Sequence, residues 1–382
     1  MKLKNPIYLD YSSSTPVNPT VLEKLLPYMT EHFGNSLSPH QWGWAADHAV
    51  ETARKQVAAL LNCRPDEITF TSSCTESNNW ALVKLSEELL KSGPLHLIST
   101  SIEHSSVAKV LTYLETLGVE VTRLTPNGEG IISLEDFKAA IKPYTRLASI
   151  IWVQNEIGSI QPIEEIAALC SERQIYFHCD GTQAVGKFAV DLQKLPIGLL
   201  SFSGHKLYAP KGVGVLFHRK SNPRIPLMPL LHGGGHEQGY RSSTLNTPAI
   251  VGLGVACELA KEKMQFEWER VLSLKKMAQE KLKALYPQVE FNGSPERSIP
   301  HILHFTLRGA PMEAMTPHLT QLGLSQGAAC GSHQPNMSMV LKSLNKDFRY
   351  AQESFRMSFG QPTTDAQVIE AIEFLCFLAN NK

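Results

Sequence analysis

The 382-residue sequence has no C-x-x-C pair and no His/Cys spacing suited to a metal, and its seven cysteines (Cys63, Cys74, Cys170, Cys179, Cys257, Cys330 and Cys376) are odd in number. That excludes a zinc ribbon and a fully paired disulfide framework, and predicts reduced thiols in a cytoplasmic protein. Charge imbalance is missing too: 36 Lys+Arg offset 36 Asp+Glu, with no long run of one sign. Nucleic acid and anionic membrane surfaces are therefore disfavoured as partners. No stretch approaches the ~18 uninterrupted apolar residues that span a bilayer. Met1-Lys2-Leu3-Lys4-Asn5-Pro6 lacks the apolar centre of a signal peptide. Without repeats or low-complexity segments, what remains is a chain 43% hydrophobic, long enough for one large core and one smaller one. Its expected partners are small molecules and proteins.

Apolar residues at helical spacing over 46–62 give way to a short strand over 67–71, and a second helix starts near 78. The alternation continues with strand 96–100, helix 106–117, strand 119–124, helix 134–141, strand 147–153, helix 163–173 and strands 175–178 and 214–217. It predicts an α/β fold, a mostly parallel sheet sandwiched by helices, with ligands beyond the carboxyl ends of the strands. A long helical pattern over 249–285 leaves that layer, and strands over 289–291 and 301–305 follow. The expected division is a large cofactor-binding domain of residues 16–258 and a small α+β domain of residues 1–15 plus 259–382.

Ser203-Gly204-His205-Lys206 follows the apolar stretch 197–200. A lysine leaving a buried strand into such a turn is where an aldehyde cofactor would be held as a Schiff base, although by itself the pattern more often marks a solvated lysine. Upstream, the apolar segment Ile175-Tyr176-Phe177-His178-Cys179 ends in Asp180. Pyridoxal phosphate needs both parts: a lysine for its aldehyde carbon and an Asp that keeps the ring nitrogen protonated. Ser72-Ser73-Cys74-Thr75-Glu76 sets small residues before a helix, an anion site suited to the cofactor phosphate and also an ordinary N-cap. Ser203 and His205 offer further donors beside the lysine. His104, after strand 96–100, belongs at the same sheet edge, where an imidazole could stack on the ring and relay protons. Asn155 and Gln183 also end strands, each a neutral amide for the ring oxygen or a turn-forming polar residue.

Cys330 lies in the small, polar segment 325–336, which predicts an exposed, mobile loop and a reachable thiol. Arg356, in an alternating strand pattern, is suited to a carboxylate ligand or to a structural ion pair. The run from His232 to Thr244, with three consecutive glycines, reads as an irregular loop near a ligand or another subunit.

Together with Tyr8-Leu9-Asp10-Tyr11, Phe33-Gly34-Asn35-Ser36, Thr75-Glu76-Ser77-Asn78-Asn79, Glu103-His104 and Arg241-Ser242-Ser243-Thr244, these segments resemble the pyridoxal-phosphate-dependent cysteine desulfurases of the class V aminotransferases. The resemblance runs nearly end to end. It implies the pyridoxal-phosphate transferase fold and conversion of L-cysteine to L-alanine, with sulfur passing to an enzyme persulfide. It further implies Lys206 as the Schiff-base lysine, Asp180 at the ring nitrogen and His104 stacked on the ring. Gln183 and Asn155 would meet the ring oxygen. Thr75, Ser203 and His205 would hold phosphate, with Cys74 beside them among the cofactor-binding residues. Thr244 would reach the phosphate of the neighbouring subunit in a homodimer. Arg356 with Asn155 would bind the substrate carboxylate, and Cys330 occupies the position of the sulfur-accepting nucleophile. The implied partners are L-cysteine, a second copy of the chain and a sulfur-acceptor protein such as an iron–sulfur scaffold; no metal is implied. The sequence ends short of the tail by which housekeeping members engage that scaffold, so the acceptor stays open. Cys330 argues against a selenocysteine lyase or another class V lyase or transaminase, and intact Lys206, Asp180 and His104 argue against a non-catalytic binding subunit.

Overall fold

Runs of Leu, Ile, Val and Phe too short for helices build the centre of the protein, seen here in a computed structural model that describes residues 3–221, 224–327 and 337–380. After a short β1 (Ile7–Tyr8), seven strands form the main sheet: β2 (Ile68–Thr71), β3 (His96–Thr100), β4 (Glu120–Leu124), β5 (Thr145–Ile151), β6 (Tyr176–Asp180), β7 (Leu199–Ser203) and β8 (Gly214–His218). Their order is β2-β8-β7-β6-β5-β3-β4. All but the edge strand β4 are almost wholly buried, which is why they read as continuous apolar runs rather than alternating ones.

β8 alone runs against its neighbours β7 and β2; the other pairings are parallel. Only residues 204–213 separate β7 from β8, too few for a crossover helix, so the chain must reverse. That tight connection opens with a single 3-10 turn, Gly204–Lys206.

A second core surrounds an antiparallel sheet ordered β12-β13-β10-β9, formed by β9 (Val289–Asn292), β10 (Ile302–Leu307), β12 (Ser325–Gln326) and β13 (Ser354–Ser358), while β11 (Leu322–Gly323) pairs in parallel with β1. Phe305, Phe355 and Phe359 fill this core, and Leu3, Ile7 and Leu9 from the start of the chain join it. Helix Thr247–Leu285 serves both cores: Ala249, Leu253 and Cys257 pack in the first, Val271, Leu274 and Leu282 in the second. Its first half lies against helix Gln41–Leu61 so closely that a Cβ on Gly254 would stand 2.6 Å from Ala53 Cα.

Two helix starts differ from the sequence pattern. Helix Gln41–Leu61 begins before 46 because the His40 side chain caps it, accepting from the Gly43 N–H, and its first turn carries the exposed Trp42 and Trp44. The helix expected near 78 begins at Cys74, capped by Ser73, and continues through a wider turn at Trp80–Lys84 into Leu85–Leu90.

Buried charge also fixes the fold. Arg54 grips Glu237 with both guanidinium nitrogens (2.9 and 2.7 Å), and Glu237 also accepts from the Phe70 N–H (2.8 Å), pinning the loop around Glu237 to β2. Both side chains are almost excluded from water. Arg54→Met strands the Glu237 carboxylate, and the expected cost is about 3–5 kcal/mol, read as a lower chemical-denaturation midpoint. A loss below ~1 kcal/mol, typical of a surface pair, would refute the anchoring role.

Candidate active site

The carboxyl ends of the parallel strands open into one cavity of about 340 Å3. Each strand delivers its own residues to it: Cys74 and Thr75 after β2, His104 after β3, Asn155 after β5, Asp180 and Gln183 from β6 and its turn, Ser203, His205 and Lys206 from β7 onward. Ser12, Ser13 and Arg356 close it from the second core.

Asp180 is buried and has no cation against it among the described residues. One oxygen accepts from Asn78 Nδ2 (2.9 Å), the other from the Thr182 N–H (3.0 Å) and the Cys74 thiol (3.6 Å). Asn78 is in turn tied to Ser106 Oγ (2.9 Å). Glu103, His178 and Cys74 beside it are neutral at pH 7. Burial pushes Glu103 up to about 8 and His178 down to about 4, and the Cys74 thiol is raised by burial and by the Asp180 charge. A carboxylate out of water with neutral donors only is a seat for a cationic N–H.

Lys206 is part-buried, and its Nζ donates to the Ser12 and Ser13 carbonyls (2.6 and 2.5 Å). Burial, reinforced by the Arg356 charge, lowers it to about 8. The same cause, with Lys206 and Lys211 adding, lowers His205 to about 4, so its imidazole is neutral at pH 7.

At the opposite end, the Ser73 hydroxyl accepts from the Glu76 N–H (3.2 Å), while Glu76 accepts from the Ser72 N–H (2.9 Å) and is held by Arg241 (2.8 Å). Of the two sequence readings of this turn the structure shows the N-cap, Ser73, and this cap is compatible with the other, because it leaves the first-turn N–H groups of Cys74 and Thr75 without a helical partner. A Cβ on Gly214 would fall 2.5 Å from the Ser73 carbonyl carbon, so only glycine lets β8 start this close to the turn.

Arg356 lies in β13, buried, and its guanidinium is already held. Nη2 donates to Asp10 (2.7 Å), Ser13 (2.6 Å) and Ser325 (2.6 Å), and Nη1 to the Asn155 carbonyl (2.8 Å). Nε is buried and has no hydrogen-bond partner among the described residues.

Comparison with known proteins agrees with this arrangement. The family description "Aminotransferase class-V" matches residues 7–370. The chain belongs to the class-V aminotransferase family. It is 43% identical over 376 residues to the cysteine desulfurase IscS of Methylobacillus flagellatus, covering 98% of this chain and 92% of that one. Among solved structures it is similar to a NifS-like protein (TM-score 0.90, 32% identity, 98% of this chain and 100% of the other). It is also similar to SspA in complex with cysteine (TM-score 0.79, 35% identity, 92% and 98%). The cofactor of this class-V aminotransferase is pyridoxal phosphate.

Of the residues singled out in the sequence, Lys206, Asp180, His104, Gln183, Asn155, Cys74, Thr75, Ser203, His205 and Arg356 all line the one cavity. Thr244 is exposed and does not line it, and Cys330 lies outside the described residues. Sequence reasoning missed the second row: Asn78 and Thr182 on Asp180, Ser12 and Ser13 on Lys206, Asp10 and Ser325 on Arg356. Asn78 carried a signal, since it stands one helical turn after Cys74 and so on the same face. The family enzyme's lysine gives a direct test. In the cofactor-free protein, acylation of Lys206 by a small anhydride, followed by peptide mass spectrometry, is expected to be half-maximal near pH 8, because only the neutral amine reacts. Half-reaction near the ordinary lysine value of ~10.4 would show that the cavity does not depress it.

Proposed function

We propose that this enzyme is a cysteine desulfurase that takes sulfur from L-cysteine, leaves L-alanine and carries the sulfur as a persulfide on Cys330. The observation that carries the reading is the buried Asp180, supplied only with neutral donors, in the same cavity as an amine lowered to about 8. A protonated pyridine nitrogen is the missing cation, and Lys206 is the amine for the aldehyde, so the residues fit pyridoxal phosphate. Bound there, the cofactor supplies an electron-accepting ring that weakens bonds to the substrate's carbons.

The protein's own groups do the rest. Asp180 holds the ring nitrogen, Gln183 and Asn155 meet the ring oxygen, and Cys74, Thr75, Ser203 and His205 gather at the phosphate end. His104 Nδ1 accepts from the Ser106 N–H (3.2 Å) and is paired with the Ser106 hydroxyl (2.7 Å). The proton of the neutral ring therefore sits on Nε2, and that is the proton His104 moves. Lys206 Nζ is the second proton carrier, steered by the Ser12 and Ser13 carbonyls. Arg356, held in place by Asp10, binds the substrate carboxylate together with the Asn155 side chain. At the sulfur, the Cys330 thiolate forms the S–S bond while the Cβ–S bond of the substrate breaks; Cβ keeps that electron pair and takes a proton. The Ser338 N–H donates to the Gly327 carbonyl (2.8 Å), beside Asn155 and Arg356. Three Cα–Cα steps, at most ~11 Å, separate Gly327 from Cys330.

The same reading assigns residues 16–258 to a cofactor-binding domain and residues 1–15 plus 259–382 to a small one. It makes the enzyme a cytoplasmic homodimer with a sulfur-acceptor protein, such as an iron–sulfur scaffold, as partner. Among the described residues no helix is long and apolar enough to cross a membrane, and no group of His, Cys, Asp and Glu is suited to a metal.

After incubation with L-cysteine, mass spectrometry is expected to find a gain of about 32 Da, one sulfur atom, on the peptide holding Cys330. Cys330→Ser loses both the gain and catalytic alanine release; alanine formed at the wild-type rate without the gain would overturn sulfur transfer. Composite sites predict complementation. Lys206→Ala and Thr244→Glu subunits are each inactive, and random mixing should restore about a quarter of wild-type activity, since half the dimers then hold one intact site. No recovery in verified mixed dimers would place Thr244 outside the partner's site.

A further inference from the structure

We propose that Lys187 is a positioning residue: it fixes the orientation of the Gln183 amide and, through it, the hydrogen bond offered to the cofactor's ring oxygen. The proposal deepens the reading of Gln183 given above and rests on it. Gln183 is buried and lines the catalytic cavity, and its amide is held from both ends. Nε2 donates to the Ser12 carbonyl (2.9 Å), and Oε1 accepts from Lys187 Nζ.

The two partners impose one orientation. A carbonyl oxygen only accepts, so the amide must turn its nitrogen to Ser12, and its oxygen then takes a hydrogen from Lys187 Nζ, which has one to donate whether protonated or neutral. Nε2 keeps one further hydrogen, which is the one available to the ring oxygen. In its protonated form Lys187 also polarises the amide and makes that remaining N–H a stronger donor.

Lys187 is placed for this and for little else. It lines a second, smaller cavity of about 50 Å3 behind the catalytic one, sharing Ser12 and Lys206 as a wall. No carboxylate pairs with it among the described residues. The other charged or titratable groups lining that cavity are Tyr11, Tyr208, Lys263, Glu267 and His301. Burial, with the Lys206 and Arg356 charges, lowers Lys187 to about 7. Without Lys187, Gln183 Oε1 is left as an unpaired acceptor and the amide loses the tether that resists rotation.

Titration of the cofactor-free protein with pyridoxal phosphate gives a dissociation constant and a visible spectrum for the wild type, Lys187→Met, Gln183→Ala and the double variant. Lys187→Met is expected to raise the dissociation constant about tenfold and to shift the visible maximum in the same direction as Gln183→Ala. In the Gln183→Ala background it should change neither further. Lys187→Gln keeps a donor without the charge and should fall between; it replaces Lys187→Met if melting shows that variant unfolded. Unchanged binding in Lys187→Met, or effects that add in the double variant, would overturn the proposal. Unchanged binding in Gln183→Ala overturns instead the role of Gln183 on which it rests.

Discussion

A carboxylate removed from water and denied a counter-ion is the constraint around which this protein is arranged. Asp180 ends the central strand β6, where neighbouring strands bury it, and among the described residues only Asn78, Thr182 and Cys74 donate to it. Neutral hydrogen bonds soften the desolvation of such a charge without cancelling it. The surroundings are consistent with this: Glu103 is held protonated and His178 unprotonated at pH 7, so neither adds nor neutralises charge beside it. Among the described residues no cation pairs with it, and its proposed partner is the cofactor's pyridinium.

The cationic side of the site comes from the other core. Arg356 on β13 reaches Asp10 near the chain start and the Asn155 carbonyl beyond β5, so one guanidinium joins three distant parts of the chain. The Asp10 pair is short and sheltered, and it orients the guanidinium as much as it neutralises it. Sequence reasoning left a carboxylate ligand and a structural ion pair as alternatives for Arg356. The structure shows the ion pair, and the ligand is proposed to share the same group. Lys206 is likewise gripped by carbonyls of Ser12 and Ser13, residues almost two hundred positions earlier.

The parts legible in the sequence were those set by local chemistry. Strand 96–100 and the run of alternating strands and helices followed from apolar periodicity, and the Asp180–Lys206 pairing followed from what a pyridoxal ring requires. What stayed hidden depended on contacts between remote residues. The reversal of β8 is a matter of loop length, which periodicity does not report. The cap by His40 is one that composition does not favour, so helix Gln41–Leu61 starts before its pattern does. Asp10, Ser13 and Ser325 meet Arg356 only in the folded chain. That Thr75 and Cys74 open a helix at the cavity was legible because a helix N-terminus announces itself through its small polar residues.

The tight reversal from β7 to β8 has a consequence for which molecules fit. It begins with the turn that bears Lys206 and ends at Gly214, whose backbone lies against Ser73, the cap of helix Cys74–Asn79. Main chain therefore sets the span between the turn that bears Lys206 and the cap at Ser73, and only the lysine's own side chain is left to adjust the reach of its amine. Like a caliper with one jaw clamped, the frame leaves the lysine side chain alone to slide.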